Sequence, residues 1–201
     1  MMHLPVNKMS SKAPPGKVRI IGGKWRGRKL AVLSCPGLRP TPDRVRETLF
    51  NWLQPVIEGA VCLDLFAGTG VLGFEALSRG AGRVVMVEQD LKLAGRLEQQ
   101  GQYLKTDDLE VVHAEALEWL KRTSEVFDLV FLDPPFRKNL IPPSCEMLLN
   151  RRHLHPHSRV YIESEPGVCS SVVLTDKFRI FRQSHAGQVE YSLLECGQQA
   201  E

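Results

Sequence analysis

The chain has 201 residues, 43% of them hydrophobic and 24% charged, which excludes wholesale disorder and indicates one packed domain with a modest extra segment. No apolar run approaches the roughly 18 residues that a membrane span needs, and the first residues lack the apolar stretch of a signal peptide. The net charge of +3 is uneven: residues 1–46 hold eleven Lys or Arg and one acid, whereas residues 47–201 hold fifteen basic and twenty-two acidic residues. A basic segment on an acidic domain favours a polyanion partner, although a solvated charged tail has the same composition.

The first part of the chain divides into a tail and a small basic unit. Residues 1–16, rich in Pro, Ser and Lys, are expected to be a flexible tail. Residues 17–58 are predicted to form a basic hairpin and a helix, with strands over 17–23 and 24–30 that turn at Gly22-Gly23. The helix is expected to run to about Val56, with Thr41 as its cap and Pro42 at its first helical position.

Apolar runs and helical patterns alternate over residues 59–197. Strands are predicted at 61–66, 83–88, 109–113, 127–132 and 158–163, with helices at 71–79, 90–104, 115–122 and 144–150 between them. Two strand-like runs, 177–184 and 188–195, close the chain without a helix between them. The pattern predicts an α/β fold, with a doubly wound Rossmann-like sheet that is mostly parallel and has an antiparallel C-terminal strand.

A Gly-rich turn follows the first strand of this domain. Gly68, Gly70 and Gly73 match the fingerprint of a dinucleotide site, and Glu88 lies at the end of the next strand. The glycines permit a tight turn and close approach of a ligand, and the acid accepts hydrogen bonds from ribose hydroxyls. NAD and S-adenosylmethionine fit this pattern equally, and a Gly-rich turn without any cofactor is a third interpretation.

Two further features favour S-adenosylmethionine. Asp64 ends the first strand, where a carboxylate would repel a pyrophosphate but would suit the ammonium group of a methionine moiety. Asp133, Pro134, Pro135 and Phe136 follow the fourth strand. Because ligands sit at the carboxyl ends of the strands in such sheets, this tetrapeptide is expected to face the cofactor. Its alternative interpretation is a simple turn that stops the strand.

These residues resemble the class I methyltransferases that modify amino groups, which carry an (Asp/Asn)-Pro-Pro-(Tyr/Phe/Trp) motif. The resemblance implies that Asp133 and the Pro134 carbonyl accept hydrogen bonds from a base amine, and that Phe136 stacks on a base taken out of its helix. It implies no metal. It also implies an S-adenosylmethionine site that includes Asp64, Phe66, Ala67, Gly68, Gly70 and Glu88. Either Glu115 or the backbone of Ala116 would contact the adenine.

A narrower resemblance covers about residues 17–195. The segments 19–30, 38–53, 161–165 and 186–191 are similar to those of the bacterial 16S ribosomal RNA guanine-N2 methyltransferases. This implies methylation of a guanine N2 in 16S ribosomal RNA within the small ribosomal subunit, by a cytoplasmic enzyme that is expected to be a monomer. It places Arg39, Thr41, Asp43 and Arg44 around the cofactor or RNA. Glu115 departs from the Asp or Asn expected there.

Several basic residues are candidates for RNA contacts. On the hairpin these are Lys24, Arg26, Arg28 and Lys29, with Trp25 either stacking on RNA or anchoring the hairpin. Arg44, and Arg137 and Lys138 after the motif, are predicted to contact phosphates, although plain surface charges have the same pattern.

The three alternating histidines 153, 155 and 157 are interpreted as a loop and not as a metal site. The five cysteines lack paired spacing, which favours free thiols in a reducing cytoplasm.

Two other functions fit parts of the pattern. A DNA adenine-N6 methyltransferase uses the same tetrapeptide, but this chain lacks a large insertion that could recognise a DNA target. An RNA-binding ribosome assembly factor with a decayed cofactor site is the non-catalytic alternative. The intact acids Asp64, Glu88 and Asp133 disfavour it.

Overall fold

The computed structural model describes residues 16–33, 41–169 and 177–197. The strands are β1 Gly16–Arg19, β2 Lys29–Val32, β3 Val61–Asp64, β4 Arg83–Glu88, β5 Leu109–His113, β6 Phe127–Leu132, β7 Leu154–Ser164, β8 Phe178–Ala186 and β9 Val189–Cys196. The helices are α1 Asp43–Leu53, α2 Val71–Ser78, α3 Leu91–Leu104, α4 Ala116–Arg122 and α5 Ile141–Asn150. The tail prediction falls, apart from Gly16, outside the described residues.

The main sheet has seven strands in the order β5-β4-β3-β6-β7-β9-β8. Strands β3 to β7 are parallel, and β9 is antiparallel to both of its neighbours. The predicted α/β fold with an antiparallel C-terminal strand is therefore confirmed. After β3 the chain winds to one side through β4 and β5, and it then returns to the other side of β3 with β6. The carboxyl ends of β3 and β6 thus form the switch point at which such sheets bind ligands.

Apolar side chains cover both faces of the sheet. One face packs against β1, β2, α1, α2 and α3, and its core includes Phe50, Phe74, Met86 and Phe131. The other face packs against α4 and α5. Burial on both faces explains why the central strands have continuous apolar sequences, such as that of Arg83–Glu88. Among the described helices, none is long and apolar enough to cross a membrane.

The basic hairpin has a different connection from the predicted one. Strands β1 and β2 pair antiparallel, but a short 3-10 helix over Gly23–Trp25 joins them in place of a tight Gly22-Gly23 turn. Gly23 has a φ of 71°, and a Cβ there would overlap the carbonyl oxygen of Ser78. The loop therefore lies directly against the end of α2. This packing against another element overrides the local preference for a two-residue turn.

Helix α1 also differs at both of its ends. It begins at Asp43 after Pro42, and no side chain caps it, so the prediction that Thr41 is the cap was wrong. The Thr41 hydroxyl contacts Asp133 across the fold instead. The helix ends at Leu53 and not near Val56, because Pro55 has no N–H to donate a helical hydrogen bond.

Two boundaries near the end of the domain also needed correction. Helix α5 begins at Ile141, three residues before the predicted start, because Pro142 and Pro143 occupy first-turn positions where no N–H is needed. His155 and His157 lie at the start of β7 and not in a loop, and His153 directly precedes that strand. The ring nitrogens of His153 contact the carbonyl oxygens of Glu125 and Leu120 at 2.7 and 3.0 Å, which gives this side chain a structural role.

Candidate active site

Four carboxylates stand in a row at the carboxyl ends of four adjacent strands. Asp64 ends β3, Glu88 ends β4, Asp133 directly follows β6, and Glu163 lies near the end of β7. In the strand register Asp64 pairs with Met86 and Phe131, and Leu132 pairs with Ile162. Because side chains alternate along a strand, all four carboxylates are on one face of the sheet, the face that α1 and α2 cover.

The Gly-rich turn lies beside this row. Gly68 and Gly70 have φ values of 52° and 72°, in the left-handed region that favours glycine. A Cβ on Gly70 would overlap the side chain of Leu97, and one on Gly73 would overlap Met86. Gly68 and Gly70 thus shape the turn, and Gly73 lets α2 pack closely on β4. These are the steric roles that the spacing predicts.

Glu88 is oriented by the turn itself. One of its carboxylate oxygens accepts a hydrogen bond from the Gly68 N–H, and the other accepts one from the Asp90 N–H, both at 2.8 Å. Each oxygen keeps a further acceptor position. The carboxylate is therefore fixed and still able to accept hydrogen bonds from hydroxyls of a ligand.

Asp64 is almost fully buried, with 2% of its surface exposed. It accepts a hydrogen bond from the Gly73 N–H at 3.1 Å. Burial, together with the nearby charge of Glu88, raises the pKa of Asp64 to about 7 despite that hydrogen bond. No cationic side chain within the described residues forms an ion pair with it. A buried carboxylate in this state is suited to a cationic ligand group.

Asp133 contacts the start of α1. The Thr41 hydroxyl lies 3.5 Å from Asp133 Oδ2. Burial and the charges of Glu163 and Asp64 raise the pKa of Asp133 well above its usual value, and the Thr41 hydroxyl opposes that rise. Pro134 is buried, whereas 44% of the Phe136 surface is exposed. The motif thus has a half-buried carboxylate at one end and an exposed aromatic ring at the other.

A cleft of about 410 Å³ opens beside the motif, a size that suits a small ligand such as a nucleic-acid base. It is lined by Pro134–Arg137, Asn139–Pro142, Glu163, Glu165 and Val168. The Arg137 N–H donates a hydrogen bond to Glu165 at 2.8 Å, and Arg137 and Asn139 both have positive φ. The backbone of the loop after the motif is thereby fixed against Glu165.

Glu163 and Arg46 are site residues that the sequence reasoning missed. Glu163 lies at the end of the predicted fifth strand, and Asp133 directly follows the fourth. This shared position at the carboxyl end of a strand could have identified Glu163 as a site residue. Arg46 is fully buried, donates to the Thr41 carbonyl at 3.1 Å, and pairs with Glu75 of α2 at 3.3 Å. It holds the start of α1 over the motif. No local pattern marks it.

The predicted adenine contacts lie at the adjacent strand end. Ala114 follows β5, and its N–H donates to the Glu88 carbonyl at 3.1 Å. The exposed Glu115 carboxylate caps α4 by accepting from the Glu118 N–H at 2.8 Å, and Ala116 is buried. Phe66 is half-buried and Ala67 is buried beside the Gly-rich turn. Arg39 lies outside the described residues.

The predicted RNA contacts lie in two places. Arg137 and Lys138 are exposed at the cleft, and Arg44 is exposed on the first turn of α1. Lys24, Arg26, Arg28 and Lys29 are exposed on the hairpin, near the far end of α2. That helix has eight residues, so its ends lie about 12 Å apart. Trp25 is buried, and its backbone N–H donates to the Ser78 hydroxyl at 2.9 Å, the arrangement of an anchor.

Comparison with known proteins agrees with this geometry. The family model described as conserved hypothetical protein 95 matches residues 18–195. The ribosomal RNA small subunit methyltransferase D of Haemophilus influenzae is 43% identical over 94% of this chain and 98% of its own length. The Escherichia coli protein of that name is 43% identical over 96% of this chain and 98% of its own length.

A solved structure extends this likeness to three dimensions. The Escherichia coli protein yhhF superposes with a TM-score of 0.81 and is 39% identical, covering 92% of this chain and all of that one. The methyltransferase activity that the motifs predicted is therefore confirmed. The chain belongs to the conserved hypothetical protein 95 family and is a methyltransferase.

Proposed function

We propose that this chain transfers a methyl group from S-adenosylmethionine to the exocyclic N2 of one guanine in the RNA of the small ribosomal subunit. The observation that carries the proposal is the position of Asp133–Phe136. This amine-binding motif lies between a cofactor-type Gly-rich turn and an open cleft, at the switch point of the sheet.

The residues around the turn fit the methyl donor. S-Adenosylmethionine supplies a methyl group on a positively charged sulfur, which makes that carbon open to attack. Asp64 would bind the ammonium group of its methionine part, and the two acceptor oxygens of Glu88 would bind the ribose hydroxyls. Gly68 and Gly70 leave space for close approach of the ligand. The row of buried carboxylates favours a cationic cofactor over one that carries a pyrophosphate.

The motif would hold and orient the target amine. Asp133 and the Pro134 carbonyl accept the two N–H groups, which turns the nitrogen lone pair away from the ring and toward the methyl carbon. The exposed Phe136 ring stacks on the base. Transfer would form an N–C bond and break the S–C bond, whose electron pair would remain on sulfur. The nitrogen then gives up one proton. The alkylated nitrogen is a strong acid, and the Asp133 carboxylate that accepts its N–H would be in position to take that proton.

The relatives favour ribosomal RNA as the substrate. The two curated relatives at 43% identity, named as small subunit methyltransferases, align over nearly their full length. The exposed basic residues of the hairpin provide a surface for phosphates, and Arg137 and Lys138 provide a second one at the cleft. We place the reaction on the small subunit, in the cytoplasm, with a single copy of the chain acting.

The direct test uses small subunits purified from cells that lack this enzyme. They are incubated with the full chain and S-adenosylmethionine carrying a labelled methyl group, and the RNA is digested to nucleosides. We expect one labelled N2-methylguanosine per subunit. Label in another nucleoside, or transfer to duplex DNA in place of the subunits, would overturn the assignment.

A further inference from the structure

We propose that Glu163 selects guanine by accepting the N1–H of the target base while Asp133 accepts the neighbouring N2–H. This inference depends on the proposed function and extends it to the choice of base. It assigns a specificity role to a carboxylate that lies outside the tetrapeptide.

The register of the sheet puts the two carboxylates side by side. Leu132 of β6 pairs with Ile162 of β7 in parallel register, so the next residues, Asp133 and Glu163, are also neighbours. Adjacent strands lie about 4.8 Å apart, and paired residues in parallel strands face the same side. Both carboxylates therefore present their oxygens to one ligand edge.

Glu163 is held in place for such a contact. It is 7% exposed, and the Tyr161 hydroxyl donates a hydrogen bond to its Oε2 at 3.1 Å. Tyr161 is itself fully buried and packs edge-on against Phe131, so this donor is fixed. Glu163 also lines the cleft with Pro134, Pro135 and Phe136. A base that enters this cleft and reaches Asp133 would meet Glu163 as well.

The chemistry of the bases makes this pair selective. Guanine presents N1–H and N2–H as adjacent donors on one edge, and two neighbouring carboxylates can accept both. Adenine also has an exocyclic amine, but its adjacent N1 is an acceptor, which an ionised carboxylate would repel. Flipped bases are commonly read along this edge. A buried site built to bind an N–H group strongly rejects an analogue that lacks the group, because its own acceptor is then left unpaired.

The electrostatics of the two carboxylates agree with this role. Burial raises the pKa of Glu163, and burial together with the charge of Glu163 raises the pKa of Asp133. The Thr41 hydroxyl contacts both carboxylates but has a single hydrogen to donate, so two ionised groups here are not both satisfied by it. Two N–H donors of a guanine would satisfy both and stabilise the ionised forms.

The test compares two bases at the target position of reconstituted small subunits. One RNA carries guanine, and the other carries 2-aminopurine, which keeps the exocyclic 2-amino group but has no N1–H. We expect the wild-type enzyme to methylate guanine with a kcat/KM at least about tenfold higher. In Glu163→Gln the amide N–H can donate to N1 of 2-aminopurine. We therefore expect this variant to have lower activity on guanine, and a ratio of kcat/KM on guanine to that on 2-aminopurine below about threefold.

Controls separate this role from a structural one. Glu165→Gln removes a carboxylate from the same cleft and should keep the wild-type ratio. S-Adenosylmethionine affinity, measured by calorimetry, should be unchanged in both variants. If Glu163→Gln fails to bind the cofactor, Glu163→Asp is tested in its place. We again expect a ratio of kcat/KM on guanine to that on 2-aminopurine that is smaller than the wild-type ratio.

Three results have distinct meanings. A wild-type enzyme that treats the two bases alike overturns the inference, as does a Glu163 variant that binds cofactor and keeps the full wild-type ratio. The latter would mean that another group reads the base, for example at O6. If the wild-type enzyme forms no N2-methylguanosine at all, the proposed function itself fails.

Discussion

Arg46 and Glu75 form an ion pair in which neither side chain has any exposed surface. Glu75 lies on α2, which follows the Gly-rich turn, and Arg46 lies on α1, which follows Thr41. Glu75 also accepts hydrogen bonds from the Ile21 N–H and from Arg79. One carboxylate therefore connects the hairpin, α1 and α2. This network holds the basic N-terminal unit against the face of the sheet that carries the four carboxylates.

Removal of Arg46 should leave the buried Glu75 carboxylate with the partly exposed Arg79 as its remaining cationic partner. We expect Arg46→Met to lower the free energy of unfolding by about 3–5 kcal/mol, as measured by urea denaturation of the full chain. Arg19→Met is the matched control, because Arg19 forms only an exposed pair with Asp43 and should cost about 1 kcal/mol or less. Equal losses in the two variants would contradict a stabilising role for the buried pair.

Asp64 should make cofactor binding depend on pH. Its pKa is raised to about 7, and only the ionised form attracts an ammonium group. Affinity for S-adenosylmethionine should therefore be constant above pH 7 and fall by about tenfold per pH unit below it. Calorimetry between pH 5.5 and pH 8.5, values chosen to lie about 1.5 units on either side of that pKa, measures this.

The titration of Asp64 should change the stability of the fold in the opposite direction from cofactor binding: a rise in pH favours binding and lowers stability. A carboxyl whose pKa is higher in the folded chain than in the unfolded chain binds more protons when folded. The free energy of unfolding of the empty enzyme should therefore fall as the pH rises from about 4 to about 7. Asp64→Asn should remove this contribution and bind the cofactor weakly at every pH. A variant with the wild-type pH profile would show that another group titrates.

Asp133→Ala should abolish transfer and leave cofactor affinity within a few-fold. The loss of charge-assisted hydrogen bonds to the amine should cost about 3 kcal/mol or more of transition-state stabilisation, which is at least about a hundredfold in rate. Single-turnover assays on small subunits measure this. Asp133→Asn is the matched control, since its amide oxygen still accepts, and it should keep part of the activity. Near-normal turnover by Asp133→Ala would make this residue a turn former only.

The fold could be predicted from the sequence because each strand and helix of the main domain has its own periodicity of apolar residues. The strand–helix alternation identified every strand of the main sheet, and Asp64, Glu88 and Asp133 were recognised because they stand at strand ends. Glu163 was missed although its strand was predicted. Its importance comes from β7 lying beside β6, which depends on the order of strands in the sheet. A carboxylate after an edge strand would be an ordinary solvated residue.

Contacts between distant segments account for the other misses. Thr41 before Pro42 has the local pattern of a helix cap, but its hydroxyl is used by Asp133, which is 92 positions away. The Arg46–Glu75 pair joins two helices and leaves no spacing that a sequence would reveal. Trp25 had two equal interpretations because its burial depends on the end of α2. Each of these is decided by packing and not by propensity.

The hairpin leads to the last prediction. Lys24, Arg26, Arg28 and Lys29 are exposed, and the guanidinium of Arg28 lies 5.9 Å from the ring centre of the exposed Tyr103. The hairpin contacts the end of α2 that is remote from the Gly-rich turn, so these side chains form a surface separate from the cleft. Changing all four to Gln should weaken binding of small subunits and leave cofactor affinity intact. Each lost phosphate contact should reduce the slope of log affinity against log salt by about 0.9 unit on duplex RNA, and by less on single strands.

The control removes the same charge from the opposite face. Lys121, Arg122, Arg151 and Arg152 are exposed on or next to α4 and α5, away from the hairpin and the cleft. Their change to Gln alters the net charge equally, so a general effect of charge would appear in both variants. We expect only the hairpin variant to show the flattened salt slope. If the hairpin variant methylates small subunits at the wild-type rate in raised salt, the hairpin serves to stabilise the fold and RNA binds to another surface.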